Sequence, residues 1–492
     1  MLPEPLRGYS SYREWLEAEE EFKGRVVFAR LLPKAPPRPA PYEGAFAGVL
    51  RALGLTPYLH QQRALKRVEA GANVVLAYPT AAGKSLVYQA PVLQAALEGA
   101  TSLLLFPTKA LAHDQLRRLR AMAQVLGVEG VFPYDGDTPS ATRRQARERG
   151  LVLLSNPDML HYGLLPRHPD WAPFLARLRY VVLDELHAYR GVFGTHVALI
   201  LRRLLRLARH YGASPQVLAA SATIANAREH AEALTGLPFE ELKAQVARTE
   251  RELLVLLPKP LDRRGERRRS PLLEAAYLAR RLAEAGLKGL VFAGARKSAE
   301  LIARYAAHPL VRPYRAGYTA RERRRLEADL KEGRVRVLVS TSALELGVDI
   351  GELDAVVLVG YPGSTAAFWQ RAGRAGRGER RALLVYIPRE DPMDEYFLHR
   401  PALLLESPPE EAVADPQNPV LCPLHLHAAA REKPLLAEEL LCPEARATLK
   451  ERNGRFFTPK RNPHREITLR GLGATFTLRG PDGEVLGYLD ER

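Results

Sequence analysis

The feature that most constrains the fold of this chain is a repeated alternation of short apolar segments with longer stretches of helical pattern. The apolar segments lack strict polar alternation, which is typical of strands buried on both faces of a parallel sheet. They occur in two series, at 73–78, 102–106, 151–155, 180–185 and 216–221, and then at 289–293, 335–341, 354–360 and 382–387. Helices between parallel strands make crossover units. The sequence therefore predicts an α/β protein with two parallel-sheet lobes in tandem.

The segments outside these two series set the expected domain boundaries. Residues 1–45 are predicted to be an N-terminal extension, because prolines in KAPPRPAP interrupt helix and sheet alike. The first lobe is expected over 46–245 and the second over 246–410, with a basic, turn-prone linker at 258–271. The alternation is lost after that, and 411–492 is expected to form a small winged-helix-like domain.

Composition excludes several classes of protein. A hydrophobic content of 46% with 26% charged residues is too apolar for a disordered chain. The longest uncharged run, 355–370, is broken by Gly and Pro, so no membrane-spanning helix is expected, and the N-terminus lacks the apolar core of a secretion signal. Two cysteines exclude a disulfide scaffold and predict a cytoplasmic location. The excess of 72 Lys and Arg over 56 Asp and Glu indicates a polyanionic partner.

A phosphate-binding loop is predicted at residues 78–85, YPTAAGKS, between the first apolar segment and a helix. Backbone N–H groups at such a helix N-terminus bind phosphates, while Lys84 reaches the β and γ oxygens and Ser85 ligates Mg²⁺. The usual pattern has glycine where this chain has Tyr78, so the match fails at one position. The flanking strand and helix still favour an ATP site that uses Mg²⁺.

Two acidic residues, Asp184 and Glu185, follow another buried segment about 100 residues later. In an α/β sheet with a phosphate loop, an acid at this strand end provides the second protein anchor for Mg²⁺, here Asp184 with Ser85. Glu185 is then placed to polarise the attacking water. The alternative is a charged strand end that faces solvent, and the phosphate loop disfavours it.

The second lobe contains a glycine- and arginine-rich segment, QRAGRAGR, at 370–377. Each glycine costs a helix about 1 kcal/mol, so these arginines are poorly suited to an ordinary surface helix. Arg374 and Arg377 are instead expected to close over the γ-phosphate, where guanidinium groups stabilise transition-state charge. A solvated basic turn is the alternative. The catalytic interpretation implies that ATP lies between the two lobes.

This motif set resembles the superfamily 2 helicases, in which two RecA-like lobes hold ATP between them and bind a nucleic-acid strand. The segments FPTKALAHDQ (106–115), DELH (184–187), SAT (221–223) and TSALELGVDIG (341–351) resemble further motifs of that superfamily, in the expected order. The resemblance implies nucleotide contacts from Gln61, which resembles the adenine-reading glutamine, and from Thr80, Gly83, Lys84, Ser85 and Asp349. It also implies that His187, Ser221, Thr223 and Gln370 couple hydrolysis to movement.

A closer resemblance is to the bacterial mitomycin repair factor A helicases and their fungal RecQ-like relatives. It is carried by YDGDTP (134–139), SNPDMLH (155–161), YRGVFGTHVA (189–198) and YPGS (361–364). It implies a DNA helicase or translocase that moves 3′ to 5′ in DNA repair, on single-stranded or tailed duplex DNA. We expect a monomer, with repair proteins as further partners. The family's C-terminal domain has a four-cysteine metal site, whereas this chain has two cysteines and ends about where that domain would begin.

The same resemblance implies a strand-binding face formed by Thr108, Lys109, Asn156, Asp158 and Thr341. Contacts of this kind address phosphates and tolerate any sequence. Without the resemblance, Asn156 before Pro157 would be a plain turn at a strand end.

The segment 446–465 has seven basic residues and one acidic residue, with Phe456 and Phe457 between them. These aromatics either stack on bases or pack in the core of a small domain, and the sequence does not favour one over the other. The spacing of Cys422, Cys442, His425 and His427 does not match a zinc site, so buried thiols and surface histidines are expected.

Two other functions share these features. An RNA helicase has the same core motifs, since phosphate contacts do not distinguish the sugars. A nucleic-acid clamp that binds ATP without turnover would not need Asp184, Glu185, Arg374 and Arg377, so the sequence disfavours it.

Overall fold

Two seven-stranded sheets, one for each series of apolar segments, form the body of the molecule. The computed structural model describes residues 1–222, 224–262, 264, 267–314, 318–341, 344, 350–470, 475–479 and 485–490. Within these residues no helix is both long and apolar enough to cross a membrane.

The N-terminal segment contributes to the second of these sheets. It forms helix α1 (Tyr12–Glu17) and strand β1 (Val26–Leu32). Tyr12, Trp15 and Leu16 on α1 are buried in the core of the second lobe. The backbone N–H of Tyr12 donates to the Glu252 carboxylate at 3.0 Å, so an acid of the second lobe caps this helix.

The first lobe has a fully parallel sheet, which is covered by helices on both faces. Its strands are β2 (Val74–Ala77), β3 (Thr101–Leu105), β4 (Val131–Tyr134), β5 (Val152–Ser155), β6 (Leu178–Leu183), β7 (Gln216–Ser221) and β8 (Glu240–Lys243), in the order β4-β5-β3-β6-β7-β2-β8. Its helices are α2 (Ala47–Ala52), α3 (Leu59–Glu69), α4 (Lys84–Leu97), α5 (Lys109–Val125), α6 (Ser140–Arg149), α7 (Pro157–Met159), α8 (Ala172–Ala176), α9 (Gly191–His210) and α10 (Ala227–Thr235). In β2, Val75 and Ala77 face one hydrophobic cluster and Val74 and Leu76 face the other. Burial on both faces explains why the sequence shows no polar alternation there.

The second lobe repeats this design with one antiparallel edge. Its further strands are β9 (Arg251–Leu256), β10 (Gly289–Phe292), β11 (Val311–Tyr314), β12 (Val337–Ser340), β13 (Ala355–Val359) and β14 (Ala382–Ile387), in the order β1-β9-β14-β13-β10-β12-β11. Its helices are α11 (Pro271–Glu284), α12 (Arg296–Ala306), α13 (Ala320–Glu332), α14 (Thr365–Ala372), α15 (Pro392–His399) and α16 (Leu403–Glu406). Strands β9 to β14 are parallel, and only β1 pairs antiparallel, with β9.

The segment predicted to link the lobes, 258–271, is placed differently by the structure. Strand β9 precedes it and already belongs to the second sheet, so the segment connects β9 to α11 inside the second lobe. Its charges are partly satisfied there, because Arg269 Nε donates to Glu274 at 2.8 Å. The linker prediction was therefore wrong, since basic composition does not distinguish a loop within a lobe from a connection between lobes.

The C-terminal part contacts helix α9 of the first lobe through its first helix and the loop that follows that helix. It comprises α17 (Leu421–Glu432), β15 (Leu435–Leu436), β16 (Lys450–Arg452), β17 (Arg455–Phe457), and the antiparallel pair β18 (Thr475–Arg479) and β19 (Val485–Asp490). Arg203 on α9 forms an ion pair with buried Glu432, and Arg206 Nε donates to Glu439 at 2.7 Å. The predicted winged-helix character of this part stays a prediction.

The two cysteines form a disulfide, Cys422–Cys442, instead of the expected free thiols. Helix α17 brings Cys422 into a cluster with Leu199, Leu426 and Phe456, and Cys442 enters the same cluster from the following loop. The sequence spacing alone could not show this approach. Phe456 therefore packs in the core of the C-terminal part, whereas the Phe457 side chain is 37% exposed.

The histidines predicted at the surface are also buried. His425 lies between α17 and α9, where its ring nitrogens are 2.9 Å from His196 Nδ1 and 3.1 Å from an Arg203 nitrogen. His427 lies within hydrogen-bonding distance of the Thr448 and Thr458 hydroxyls, at 3.0 and 2.8 Å. Both predictions failed because α17 is covered on two sides, by α9 at His425 and by later C-terminal segments at His427. No group of three or more metal-binding side chains occurs in the part of the chain that the structure describes.

Candidate nucleotide site and strand face

The predicted phosphate loop connects β2 to the N-terminus of α4, which begins at Lys84. Gly83 has a left-handed backbone, with φ of +77°, and a Cβ there would lie 2.4 Å from Gln61 Nε2. Lys84 Nζ donates to the backbone oxygens of Tyr78 and Pro79, at 3.0 and 3.4 Å. Burial lowers the pKa of Lys84, an effect that Glu185 and Asp184 oppose. The loop therefore presents backbone N–H groups and one largely buried cation.

Gln61 on α3 lies directly beside this loop. Its side-chain amide donates to the Gly83 carbonyl oxygen at 2.8 Å and accepts from the Tyr58 backbone at 2.7 Å. Tyr78 replaces the usual glycine of the loop, and its hydroxyl donates to the His60 carbonyl oxygen at 2.9 Å. The departure from the usual pattern thus fixes α3 against the loop.

Asp184 and Glu185 follow β6 and point into the same region. Asp184 is 6% exposed, and its carboxylate accepts from the Tyr88 hydroxyl at 2.8 Å and from the Glu185 backbone at 2.9 Å. Burial raises the pKa of Asp184, and the nearby charge of Glu185 raises it further. Two adjacent carboxylates near the Ser85 hydroxyl are the oxygen ligands that Mg²⁺ prefers. The side chains present therefore fit the expected cation.

One cavity of about 350 Å³ between the lobes brings the predicted catalytic residues together. Its walls include Thr80, Gly83, Lys84, Ser85, Asp184 and Glu185 from the first lobe, and Gln370, Arg374 and Arg377 from the second. Arg374 is only 2% exposed. The phosphate loop, the acids and the arginines thus face one another across the cleft.

The predicted coupling residues lie at the edge of this cavity. His187 Nδ1 accepts from the Ala222 backbone N–H at 3.1 Å and lies 3.4 Å from Ser221 Oγ. Its other ring nitrogen is 3.5 Å from a Glu185 carboxylate oxygen. Burial lowers the pKa of His187 to about 4, so the ring is neutral near pH 7. His187 therefore connects the segment after β7 with the acids, whereas Thr223 and Asp349 lie outside the described residues.

The residues of the predicted strand face follow the carboxyl ends of neighbouring strands. Thr108 caps α5 through a bond from the Leu111 N–H, 3.4 Å long, and Asn156 caps α7 through a bond from the Met159 N–H, 2.9 Å long. Both side chains also serve local structure, as the turn interpretation of Asn156 predicts. Thr341 follows β12 of the second lobe.

Two cations of this face are held by acids. Lys109 Nζ is 2.8 Å from Asp137, and Asp158 accepts from Arg470 of the C-terminal part at 3.0 Å. Arg470 also donates to the Pro107 carbonyl oxygen at 2.9 Å, and its guanidinium lies 4.7 Å from the centre of the Phe193 ring.

Sequence reasoning missed several residues of these two sites. Tyr88 donates a hydrogen bond to Asp184. The nucleotide cavity is also lined by Gln115, Arg118 and Arg248, and Arg470 lies on the strand face. Helical spacing could have predicted two of these residues. Gln115 stands in the segment 106–115, and Tyr88 lies one helical turn after Lys84 of the phosphate loop. No sequence pattern around Arg470 indicates that it lies on the strand face.

Comparison with known families supports the predicted class. The DEAD/DEAH box helicase family matches residues 58–231, and the helicase conserved C-terminal domain matches 273–379. The chain is 40% identical over 448 residues to the uncharacterized ATP-dependent helicase YprA of Bacillus subtilis, covering 88% of this chain and 58% of that protein. It is 36% identical over 399 residues to the ATP-dependent helicase hrq1 of Schizosaccharomyces pombe, covering 77% of this chain and 38% of that protein. The chain thus spans about half the length of these curated relatives.

Solved structures give the same result for the fold. The crystal structure of the DUF1998 helicase MrfA bound to DNA superimposes with a TM-score of 0.86 at 34% identity, covering 98% of this chain and 68% of that one. MrfA bound to DNA and AMPPNP gives a TM-score of 0.84 at 36% identity, covering 91% and 67%. The predicted pair of RecA-like lobes is confirmed, and the chain belongs to the superfamily 2 helicases of the MrfA, Hrq1 and Lhr type.

Proposed function

We propose that this chain is an ATP-dependent DNA helicase or translocase that moves 3′ to 5′ on single-stranded DNA and serves DNA repair as a cytoplasmic monomer. The observation that carries the proposal is the inter-lobe cavity, which brings Lys84 and Glu185 to the same space as Arg374 and Arg377. A nucleotide that contacts both lobes is bound best when the cleft is closed, so hydrolysis and release change the lobe arrangement.

Each residue of the cavity has a distinct part in this proposal. Lys84 and the N–H groups at the start of α4 bind the β- and γ-phosphates. Arg374 and Arg377 stabilise negative charge at the transferred phosphoryl group. Glu185 accepts a hydrogen bond from the attacking water and orients it. Asp184 and Ser85 would hold Mg²⁺, which supplies charge neutralisation at the phosphates when bound.

One observation favours DNA in particular, and two more favour a nucleic-acid strand of either kind. Structures of the related MrfA were obtained with DNA bound, and that protein matches 98% of this chain. The predicted contact residues follow the carboxyl ends of β-strands in both lobes. A single nucleic-acid strand bound there would lie across the cleft between the lobes. The formal net charge of +16 favours a polyanion.

The assignment of the nucleotide site is tested by Lys84→Ala. We expect DNA-stimulated ATP hydrolysis to fall by at least about 100-fold, which is typical for the loss of one charge-stabilising group. Equilibrium binding of single-stranded DNA should stay within twofold. Arg179→Ala, on an exposed residue far from the cleft, is the matched control. Substantial hydrolysis by Lys84→Ala would contradict the assignment.

The choice of DNA over RNA is tested by stimulation with matched oligonucleotides. We expect single-stranded DNA to accelerate ATP hydrolysis more than RNA of the same sequence, since a protein distinguishes the two through the 2′-hydroxyl. Greater acceleration by RNA would indicate an RNA helicase, and no acceleration by either would indicate a clamp.

Polarity is tested by unwinding of tailed duplexes. A 3′-to-5′ enzyme loads on a 3′ single-stranded tail and separates that duplex, whereas a 5′-tailed duplex of equal length remains paired. The reverse preference would overturn the proposed direction.

A further inference from the structure

A segment that no predicted motif includes connects the two lobes beside the nucleotide cavity. After α16 the chain leaves the second lobe, and residues 408–415, here called the crossing segment, lead towards α17, which packs on α9 of the first lobe. Within this segment, Glu410 lines a second cavity, of about 390 Å³, together with Thr108, His187 and Gln370. The crossing segment is therefore adjacent to residues assigned to coupling.

One end of the crossing segment binds the second lobe through Glu410. One carboxylate oxygen of Glu410 accepts from the Thr365 backbone N–H at 2.6 Å, and the other accepts from the Ala366 N–H at 3.1 Å. These are the first N–H groups of α14, which have no partner within the helix. A carboxylate at that position is also favoured by the helix dipole. Glu410 therefore holds the N-terminus of α14 with both oxygens.

Helix α14 carries the arginine segment at its other end. Gln370 lies in its last turn, and Arg374 lies two residues after its end. Both residues line the nucleotide cavity. A shift of α14 along or across its axis would move the Arg374 guanidinium relative to the phosphate loop by a similar distance.

The other end of the crossing segment is fixed to the first lobe. The Asn226 side chain and the Ala412 backbone exchange two hydrogen bonds, both 2.9 Å long. The Gly191 N–H donates to the Val413 carbonyl oxygen at 2.7 Å. Asn226 lies five residues after Ser221, and Gly191 lies four residues after His187. The attachments are thus close in sequence to two coupling residues.

The length of chain between the two attachments is short. Only Glu411 lies between Glu410 and Ala412, and two steps along the chain span at most about 7 Å. The lobes therefore cannot separate widely at this point unless one attachment breaks.

From this geometry we infer that Glu410 is a positioning residue for ATP hydrolysis: it fixes α14 against the first lobe, and so places Arg374 at the phosphate side of the cleft. The inference rests on the proposed function, because it assigns a role within that reaction. Glu410 itself touches no reacting atom in this account. It acts only through the helix that it caps.

The test compares three variants of the whole chain, Glu410→Ala, Glu410→Gln and Glu411→Ala. We expect Glu410→Ala to lower kcat of DNA-stimulated hydrolysis roughly tenfold, because small displacements of catalytic groups have effects of at least that size. KM for ATP should stay within twofold, since the phosphate loop is unchanged. Glu410→Gln retains one acceptor oxygen and should recover part of the rate. Glu411 is an exposed neighbour that lines the same cavity, and it is the matched control for the loss of one negative charge there. It should behave as wild type, because both bonds to the N-terminus of α14 come from Glu410.

Asn226→Ala removes the other attachment and should lower kcat in the same way. Because both residues act through one segment, the double variant Glu410→Ala/Asn226→Ala should be little worse than either single variant. Fully additive losses, or a Glu410→Ala rate within twofold of wild type, would overturn the inference. An equal fall of kcat in Glu410→Ala and Glu411→Ala would overturn it too. The effect would then come from the loss of one negative charge in this segment and not from the bonds to α14.

A second measurement separates this inference from the proposed function. Fluorescent labels on the two lobes report their distance when AMPPNP is added, whether or not hydrolysis occurs. AMPPNP should shorten the distance between the labels in wild type. In Glu410→Ala at saturating nucleotide, the mean distance should be longer or the distribution of distances broader. If wild type closes but no DNA stimulates hydrolysis, the proposed function fails while the positioning role is still decided by this distance. Equal distances in wild type and Glu410→Ala would contradict the positioning role.

Discussion

Thr80 of the phosphate loop packs directly against Gly373 of the arginine segment, so closely that a Cβ added at Gly373 would lie 2.9 Å from Thr80 Cβ. The same Cβ would lie 3.0 Å from the Trp369 carbonyl oxygen. The Thr80 side chain of the first lobe thus meets the Gly373 backbone of the second lobe at the point where the nucleotide cavity closes. The absence of a side chain at Gly373 is therefore required by this arrangement.

Gly373→Ala should weaken closure of the cleft. Overpacking of this kind costs about 1–3 kcal/mol, and the contact with Thr80, unlike the one with Trp369, exists only when the lobes are together. We expect kcat for ATP hydrolysis to fall roughly tenfold with little change in the unfolding temperature. Gly48→Ala is the control, since a Cβ there meets no atom within 4 Å. Wild-type kinetics in Gly373→Ala would show that this contact does not form during turnover.

Glu185→Gln separates nucleotide binding from hydrolysis. The amide keeps the size of the side chain but removes the charge that orients water, so kcat should fall about 100-fold or more. Binding of AMPPNP should stay within a few-fold of wild type, because Lys84 and the start of α4 are unchanged. Equilibrium binding with a fluorescent ATP analogue and steady-state hydrolysis measure the two effects independently. A loss of binding equal to the loss of rate would contradict this role.

The disulfide Cys422–Cys442 should stabilise the C-terminal part. The two cysteines are 20 residues apart, and closing a loop of that size stabilises a folded segment by about 2–4 kcal/mol. We expect Cys422→Ala/Cys442→Ala to lower the midpoint of the first urea unfolding transition. Reductant should lower the wild-type midpoint similarly and leave the double variant unchanged. An effect of reductant on the double variant would show that the disulfide is not its target.

Acid should loosen the contact between α9 and the C-terminal part. The buried groups that face one another there are His161, His196, Arg203, His425, Glu432 and His464. Burial, together with the charge of Arg203, lowers the pKa of His161 from 6.5 to about 3 and that of His425 well below 6.5. Burial opposes ionisation of Glu432, but Arg203 and His464 still lower its pKa to about 2.

The sign of the pH effect follows from these directions. The unfolded chain binds protons at its histidines below pH 6.5, whereas folded His161 stays neutral until about pH 3. Stability is therefore complete above pH 6.5 and falls as the pH decreases, by about 2 kcal/mol at pH 5 for His161 alone. Glu432 adds a further loss only at lower pH, between its unfolded and folded pKa. The amide of His161→Gln offers both a hydrogen-bond donor and an acceptor, as the neutral imidazole does, but it does not titrate. This variant should therefore flatten the pH dependence of the unfolding temperature between pH 6.5 and 5. An unchanged slope in that variant would contradict the assignment.

Features that depend on residues close together in the sequence could be predicted, whereas features that depend on contacts between distant segments could not. The central strands of both sheets and the phosphate loop were predictable because buried strands and a loop before a helix are local patterns, as at 73–85. The edge strands β1, β4, β8 and β11, and strand β9, were not predicted. The shared cavity followed once Asp184 and Arg374 were assigned to one nucleotide.

The errors came from contacts between distant segments. The pairing of Cys422 with Cys442, the burial of His425 against α9 and the placement of 258–271 inside the second lobe all depend on three-dimensional neighbours. The same is true of Glu410, whose partners on α14 lie 45 and 44 residues away. A capping carboxylate at such a distance leaves no periodic or motif signal.

The central claim is that groups from both lobes act on one nucleotide, and its most direct test is DNA-stimulated ATP hydrolysis by Arg374→Ala and Arg377→Ala. The control is Arg380→Ala, an exposed arginine beyond the cavity. We expect kcat to fall roughly 1,000-fold in the first two variants, as for other arginines that stabilise phosphoryl transfer, and to stay within twofold in the control. Hydrolysis at the wild-type rate by both Arg374→Ala and Arg377→Ala would contradict the account.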